Sequence, residues 1–147
     1  MINILMSGCN GKMGQVISRI VKNYEDMKIV AGFDLRDDIV NDYPVFTDIN
    51  NVNVKVDVVI DFSHPDALEK ILDFALKNQI PIVVATTGLS TLQKTALETA
   101  AKKIPVFYSA NMSLGVHLLI DLVKKAAKAL ENNFDIEHIC IVIFSEQ

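Results

Sequence analysis

The sequence predicts an α/β domain of the doubly wound type, a mainly parallel sheet with helices on both faces. Three observations carry that expectation. Short apolar runs alternate with segments whose apolar residues recur at helical spacing, over most of the 147 residues. The strand runs are too continuously apolar to keep one face wet, as suits strands covered on both sides. Half of the residues are hydrophobic and 22% are charged, which is enough for one compact core and a squeeze for two.

Residues 2–6 form the first strand run, ended by Ser7-Gly8, and from Met13 the apolar positions become Val16, Ile17, Ile20, Val21 and Tyr24, a helical stripe. Residues 28–33 predict a second strand. Residues 35–55, rich in Asp and Asn, predict an abbreviated or irregular crossover. Residues 56–62 read as a third strand, followed by the stripe Ala67, Leu68, Ile71, Leu72, Ala75 and Leu76. Pro65 falls in the first turn of that helix, where no N–H is needed, and Ser63 or His64 is placed to cap it. Residues 80–85 supply a fourth strand. Ser90 and Gln93 then have the spacing of a capping box, opening a helix with Leu92, Ala96, Leu97, Ala100 and Ala101 on its buried face. Residues 105–109 make a fifth strand, and Val116, Leu119, Leu122, Val123, Ala126 and Leu130 mark a final helix. The apolar run at 136–144 has no element after it. It is expected to pair with the edge of this sheet, to self-associate with a neighbouring molecule, or to begin a second domain.

Several function classes are excluded by composition. Fourteen basic against 18 acidic side chains give a net charge of −4, so no positive excess is available to neutralise a nucleic-acid backbone. No apolar run approaches the roughly 18 to 20 residues of a membrane span. The amino terminus lacks a basic region and a small-residue cleavage site, and a cytoplasmic protein is expected. Cys9 and Cys140 are lone cysteines, expected as thiols. His64, His117 and His138 have no ligand spacing, so no metal is expected.

The chemistry-bearing residues cluster where the strands are expected to end. Gly8-Cys9-Asn10-Gly11-Lys12-Met13-Gly14 lies between the first strand and the first helix. There, glycines let the backbone approach a pyrophosphate closely and the helix N-terminus offers N–H groups and partial positive charge. The spacing is G-x-x-G-x-x-G, and Lys12 followed by Met13 excludes a Walker P-loop. Asp34 stands twenty positions after Gly14, where a carboxylate can accept from adenine-ribose hydroxyls. Arg36 is placed to meet a 2′-phosphate, which leaves NADH and NADPH both open. The later strands end in Asp61-Phe62-Ser63-His64, Ala85-Thr86-Thr87-Gly88 and Ser109-Ala110-Asn111-Met112-Ser113, small hydroxyl and amide groups suited to a dinucleotide. Tyr24 and Lys28 have a Y-x-x-x-K spacing, but at the end of the first helix, remote from the strand ends. Lys124, Lys125 and Lys128 read as a solvated face near a helix C-terminus.

The glycine loop, Val59-Ile60-Asp61-Phe62-Ser63-His64-Pro65, Ala85-Thr86-Thr87-Gly88-Leu89, and Tyr108-Ser109-Ala110-Asn111-Met112-Ser113-Leu114-Gly115-Val116 together resemble dihydrodipicolinate reductase, from residue 1 to about 137 and in the family's order. The resemblance implies a Rossmann-type amino-terminal domain with cofactor contacts at Gly8, Asn10, Gly11, Lys12, Met13, Asp34, Ala85, Thr86, Thr87, Ser109, Ala110, Asn111 and Met112. Arg36, Phe62 and Ser63 are candidates beside them. Three departures are mild: Ala85 for the first residue of G-T-T-G, Met112 for the Phe of S-A-N-F-S, and His117 for the Asn of G-V-N. After Glu137 the family proceeds to H-H-x-x-K and D-A-P-S-G-T segments, whereas this chain reads on through His138 and its apolar run. The resemblance therefore implies a dinucleotide-binding domain at 1–134 and the start of a substrate domain at 135–147. No residue here inherits the family's proton-donor roles. In the family, a hydride passes from NADH or NADPH to the cyclic imine that a 4-hydroxy compound yields on losing water. The 147-residue chain is expected to bind cofactor and to be inactive alone, taking the dicarboxylate imine only if a catalytic domain is supplied. The rival expectation is a non-catalytic NAD(P)-binding module, a sensor or partner subunit.

Overall fold

The five apolar runs between residues 2 and 109 become strands of one wholly parallel sheet, which a short sixth strand joins. The computed structural model describes residues 1–109, 121–123 and 125. Its strands are β1 (Ile2–Ser7), β2 (Met27–Phe33), β3 (Val45–Phe46), β4 (Val58–Asp61), β5 (Ile82–Val84) and β6 (Val106–Tyr108). The helices are α1 (Lys12–Val21), α2 (Leu68–Asn78) and α3 (Thr91–Ala100), with short 3-10 turns at Ile49–Asn51 and Pro65–Ala67. The chain divides into two compact units, Met1–Asn111 and Met112–Gln147. In the second, residues 121–123 and 125 are helical; the rest of the expected final helix and the 136–144 run lie outside the described residues.

The strand order is β3-β2-β1-β4-β5-β6. From β1 the chain steps outward to β2 and β3, returns to lay β4 on the other side of β1, and then steps outward again. Parallel crossovers are right-handed, so this reversal sends α1 to one face of the sheet and α2 and α3 to the other. Registry brings the strand ends level: Ser7 pairs with Phe33 and Asp61, Asp61 with Val84, and Val84 with Tyr108. The edge so formed, with its reversal between β1 and β4, is where open α/β sheets bind ligands.

The core fills the α2 and α3 face. Leu5, Val59, Ile82 and Val84 from the strands meet Leu68, Ile71, Leu72 and Ala75 of α2 and Leu97 and Ala100 of α3. Each fully buried Leu, Ile or Val contributes about 1.5–3 kcal/mol relative to exposure. Among the described residues, no helix is long and apolar enough to cross a membrane.

The structure differs from the sequence expectation in four places. The stretch 35–55 is irregular as expected but contributes β3, whose two residues pair with Gly32 and Phe33; so short a strand leaves no periodicity to read. Leu92, Ala96 and Ala101 are exposed: α3 meets the sheet along the narrow line Leu97, Ala100 and Ile104, all buried. The stripe of the first helix is shorter than expected: Ile20 is 48% exposed, and Tyr24 lies beyond α1 and is 53% exposed. Pro65 opens a 3-10 turn ahead of α2 and not α2 itself: His64 caps that turn, its Nδ1 accepting from the Asp66 N–H at 3.4 Å, the Ser63 hydroxyl being bonded elsewhere, while α2 starts behind Ala67 with no side-chain cap.

Candidate functional site

The turn after β1 is built by glycines with different duties. Gly8 has φ +75, and a Cβ there would come within 2.5 Å of the Phe62 carbonyl oxygen and 2.9 Å of Ser63 Cα. No L side chain fits, since both the conformation and the space forbid it. Gly14, buried in α1, packs so closely on the turn that a Cβ would overlap the Gly8 carbonyl oxygen and approach Cys9 Cα within 2.7 Å. Gly11 is the opposite case. A Cβ there would touch only the Gly8 oxygen, at 3.2 Å, so its open side faces the cavity described below. Gly11 is also the N-cap of α1, with no side-chain cap and no acidic residue in the first turn. The helix's own first turn thus supplies no negative side chain to its positive end.

Cys9 points the other way, into the protein. It is fully buried, with its sulfur against Gly32, where a Cβ would come within 2.6 Å. Burial first, and the neighbouring Asp34 carboxylate second, push the thiol up to about 12. It is a packing residue, without thiolate chemistry near neutral pH.

Asp34 is the acidic residue expected at the end of β2. Its Oδ2 accepts from the Asn10 N–H at 2.9 Å and its Oδ1 from the Leu35 N–H at 2.8 Å. Each oxygen keeps acceptor capacity for a ligand. The loop beyond is stitched to the glycine turn by amides. Asn10 donates to the Arg36 carbonyl at 2.5 Å, Asn41 donates to Asn10 Oδ1 at 2.9 Å, and Gln15 donates to Asn41 Oδ1 at 2.8 Å and to the Cys9 carbonyl at 2.9 Å. The guanidinium of Arg36 stands 3.7 Å from Asp38, both exposed, an ion pair of small energetic weight.

At the end of β4, the carboxylate of Asp61 is completely buried. Its Oδ1 accepts from the Ser63 N–H at 3.1 Å and the Ser63 hydroxyl at 2.6 Å, and its Oδ2 accepts from the Thr86 hydroxyl at 2.7 Å. The turn after β4 is thus tied to the turn after β5.

The turns after β1, β2, β3 and β4, with Lys70 of α2, line a cavity of about 510 Å³, within the usual range for small-molecule sites. Of the residues expected from sequence, Gly8, Asn10, Gly11, Asp34, Arg36, Phe62 and Ser63 line it. Lys12 and Met13 sit in the exposed first turn of α1, outside the lining. Ala85 and Thr86 are buried at the end of β5, where Thr86 spends its hydroxyl on Asp61, and Thr87 beside them is exposed. Ser109 is half-buried after β6, with its N–H bonded to the Val84 carbonyl. None of these four lines the cavity. Ala110, Asn111 and Met112 lie outside the described residues. Thr47 and Lys70 are lining residues that sequence reasoning missed. Lys70 stands in the first turn of α2, a place in which a cation opposes the helix dipole, and that mismatch was the available signal. Thr47 left no signal, following a strand too short to see.

Fold and site define the class: a Rossmann-type nucleotide-binding domain, with a glycine turn, an acidic residue at the next strand end and a cavity beside the sheet's reversal. The chain belongs to the dihydrodipicolinate reductase family, whose amino-terminal region matches residues 2–112. It is 48% identical over 137 residues to the 4-hydroxy-tetrahydrodipicolinate reductase of Caldanaerobacter subterraneus subsp. tengcongensis, covering 93% of this chain and 54% of that protein. The enzyme of the same name from Clostridium novyi is 44% identical with the same coverage. Among solved structures, the dipicolinate-bound dihydrodipicolinate reductase from Paenisporosarcina sp. TG-14 superposes with a TM-score of 0.70 at 27% identity, covering 86% of this chain and 54% of that one. The chain spans about half the length of the curated relatives it matches.

Proposed function

We propose that the chain supplies the cofactor half of a 4-hydroxy-tetrahydrodipicolinate reductase, and that its cavity takes the adenosine and pyrophosphate of NADH or NADPH. One observation carries the reading: Gly11 is the glycine of the turn where a side chain would meet a single atom of the protein, the Gly8 carbonyl oxygen at 3.2 Å. The space it leaves open lies at the N-terminus of α1 and on the cavity wall.

The residues present fit a dinucleotide. Gly8, Asn10 and Gly11 form the wall on which a pyrophosphate would lie, with α1 offering its positive end. Asp34 keeps acceptor sites for ribose hydroxyls, and Arg36 and Lys70 are the cations that would receive a 2′-phosphate. Phe62 supplies an apolar wall. Lys12, Met13, Ala85, Thr86, Thr87 and Ser109 contribute as supports of these turns or toward the nicotinamide end, and Ala110, Asn111 and Met112 complete the set. When bound, the reduced nicotinamide would supply a hydride; the chain's own part would be to bind and orient the cofactor through the turns at the strand ends. Binding of the dicarboxylate imine is assigned to segments of the longer relatives beyond the matched span. Residues 1–134 are proposed as the dinucleotide-binding domain and 135–147 as the start of the next.

Calorimetric titration of the purified chain with NADH and with NADPH tests the reading. Saturable one-to-one binding of at least one is expected. Failure of both to bind a folded chain overturns it.

A further inference from the structure

The proposed ligand contacts leave unused the most buried charged group at the strand ends. Asp61 is 0% exposed, lies in register between Ser7 and Val84, and receives hydrogen bonds from two separate turns. A carboxylate accepts and does not donate, and it is much nearer than the other acceptors, the His64 carbonyl at 3.5 Å from the Ser63 hydroxyl and the Ser63 carbonyl at 3.4 Å from that of Thr86, so both hydroxyl protons point inward at Asp61. Each hydroxyl oxygen is left with lone pairs alone. That of Thr86 is closed off, since the residue is 2% exposed. Ser63 is half-buried and lines the cavity.

We propose that Asp61 is a positioning residue that fixes the Ser63 hydroxyl as an acceptor facing the cavity, so that this corner reads a donor group of the ligand and turns away phosphate oxygens. The inference rests on the dinucleotide reading above. A dinucleotide offers such donors in its ribose hydroxyls and amines, whereas a phosphate oxygen would meet the Ser63 lone pairs with its own. Charge-assisted bonds of this kind are short and strong, as 2.6 Å and 2.7 Å attest, and the inward orientation is therefore fixed before the ligand arrives. A second effect follows from the Ser63 N–H bond. The Phe62–Ser63 backbone is the surface on which Gly8 packs, so the same carboxylate sets the spacing between the β4 turn and the glycine turn.

The test is a double-mutant cycle on NADH affinity, measured by calorimetry on the whole chain, with urea unfolding run on every variant without ligand. Asp61→Asn, which preserves shape but turns one acceptor into a donor, and Ser63→Ala are each expected to weaken NADH by about tenfold. Combined, they should be no worse than the weaker-binding single variant, because Asp61 acts through Ser63. A purely structural role would lower the urea midpoint and leave the affinity of the folded fraction unchanged. A folded Asp61→Asn that binds NADH within twofold of the parent chain overturns the proposal, as do effects that simply multiply in the double variant. Should Asp61→Asn fail to fold, Ser63→Ala and Ser63→Thr decide: about tenfold loss in the first with recovery in the second supports it, and unchanged affinity in Ser63→Ala overturns it. A parent chain that binds neither NADH nor NADPH defeats the underlying reading, a result distinct from all of these.

Discussion

Replacing Gly11 by Ala separates the ligand from the fold. The backbone there has φ −73 and ψ 165, an extended conformation open to any residue. The new methyl would meet only the Gly8 carbonyl oxygen, at 3.2 Å, a contact relieved by a shift of a few tenths of an ångström. Because Ala is a poorer N-cap than Gly, the folding cost should be up to about 1 kcal/mol. For the ligand the same methyl stands where the pyrophosphate must approach the backbone most closely. Displacing it forfeits at least one hydrogen bond to a charged group, about 1.5–3 kcal/mol, which is roughly a ten- to hundredfold loss of affinity. Gly11→Val should lose more. The assay is calorimetry with NADH beside urea unfolding of the unliganded chain. Gly8→Ala and Gly14→Ala are the controls: their Cβ atoms would collide with backbone, so they should fail in the unfolding experiment itself. A Gly11→Ala or Gly11→Val chain that folds and binds NADH as the parent does would refute the placement of the pyrophosphate on this turn.

Three further outcomes are expected. NADH should bind at least as well as NADPH, because the Asp34 carboxylate accepts from a ribose hydroxyl and repels a phosphate, while Arg36 and Lys70 soften the preference; side-by-side titrations showing strong NADPH selectivity would count against it. The Cys9 thiol, raised from 9.0 to about 12 by burial and Asp34, should resist an aromatic disulfide reagent in the native chain and react once unfolded. Since the unfolded thiol gives up its proton from about pH 9 while the folded one keeps it to about 12, stability is intact below 9. It should then fall by at most about 1.4 kcal/mol per pH unit across that window, an extra loss that Cys9→Ala removes from the pH dependence of urea unfolding. Ser90→Ala should cost about 1 kcal/mol by the same measurement, since it breaks a capping box in which Gln93 N–H donates to Ser90 and Ser90 N–H donates to Gln93.

How much of this was legible in the sequence depends on the range of the interaction concerned. Ser90 and Gln93 act within a single turn, and their spacing told the outcome directly; His64 and Pro65 are as local, but the turn they open is a 3-10 turn ahead of α2. The strand runs of β1, β4 and β5 were legible because burial on both faces demands continuous apolar residues, and those of β2 and β6 from their apolar runs, although Phe107 of β6 is 58% exposed. The face of α3 was misread because its small residues satisfy helical periodicity without specifying which of them meets the sheet; only contact with the sheet selects Leu97 and Ala100. The network joining Asn10, Asn41 and Gln15 is illegible for a different reason. Asn41 is thirty-one residues from Asn10, in a loop whose shape no local rule fixes. Asp61 was quoted for its position at a strand end, but nothing in its neighbourhood along the chain shows that it would be fully buried or that Thr86, twenty-five residues on, would bond to it.

The glycine turn shows the same division within seven residues. Gly8, Gly11 and Gly14 are equally spaced and indistinguishable as a pattern, yet the first is required by the Phe62–Ser63 backbone and its own positive φ, and the last by the close seating of α1 on the turn. Those two are demands of folding, met whether or not a ligand exists. The middle glycine answers to no neighbour except the Gly8 oxygen at 3.2 Å. A residue with the entropic cost of glycine, at a helix start where Ser, Asp or Asn would cap better, calls for a reason outside the protein. The motif is therefore a frame of two structural glycines that holds a third open to the cavity, and of the three it is Gly11 whose substitution distinguishes a tight turn from a binding site.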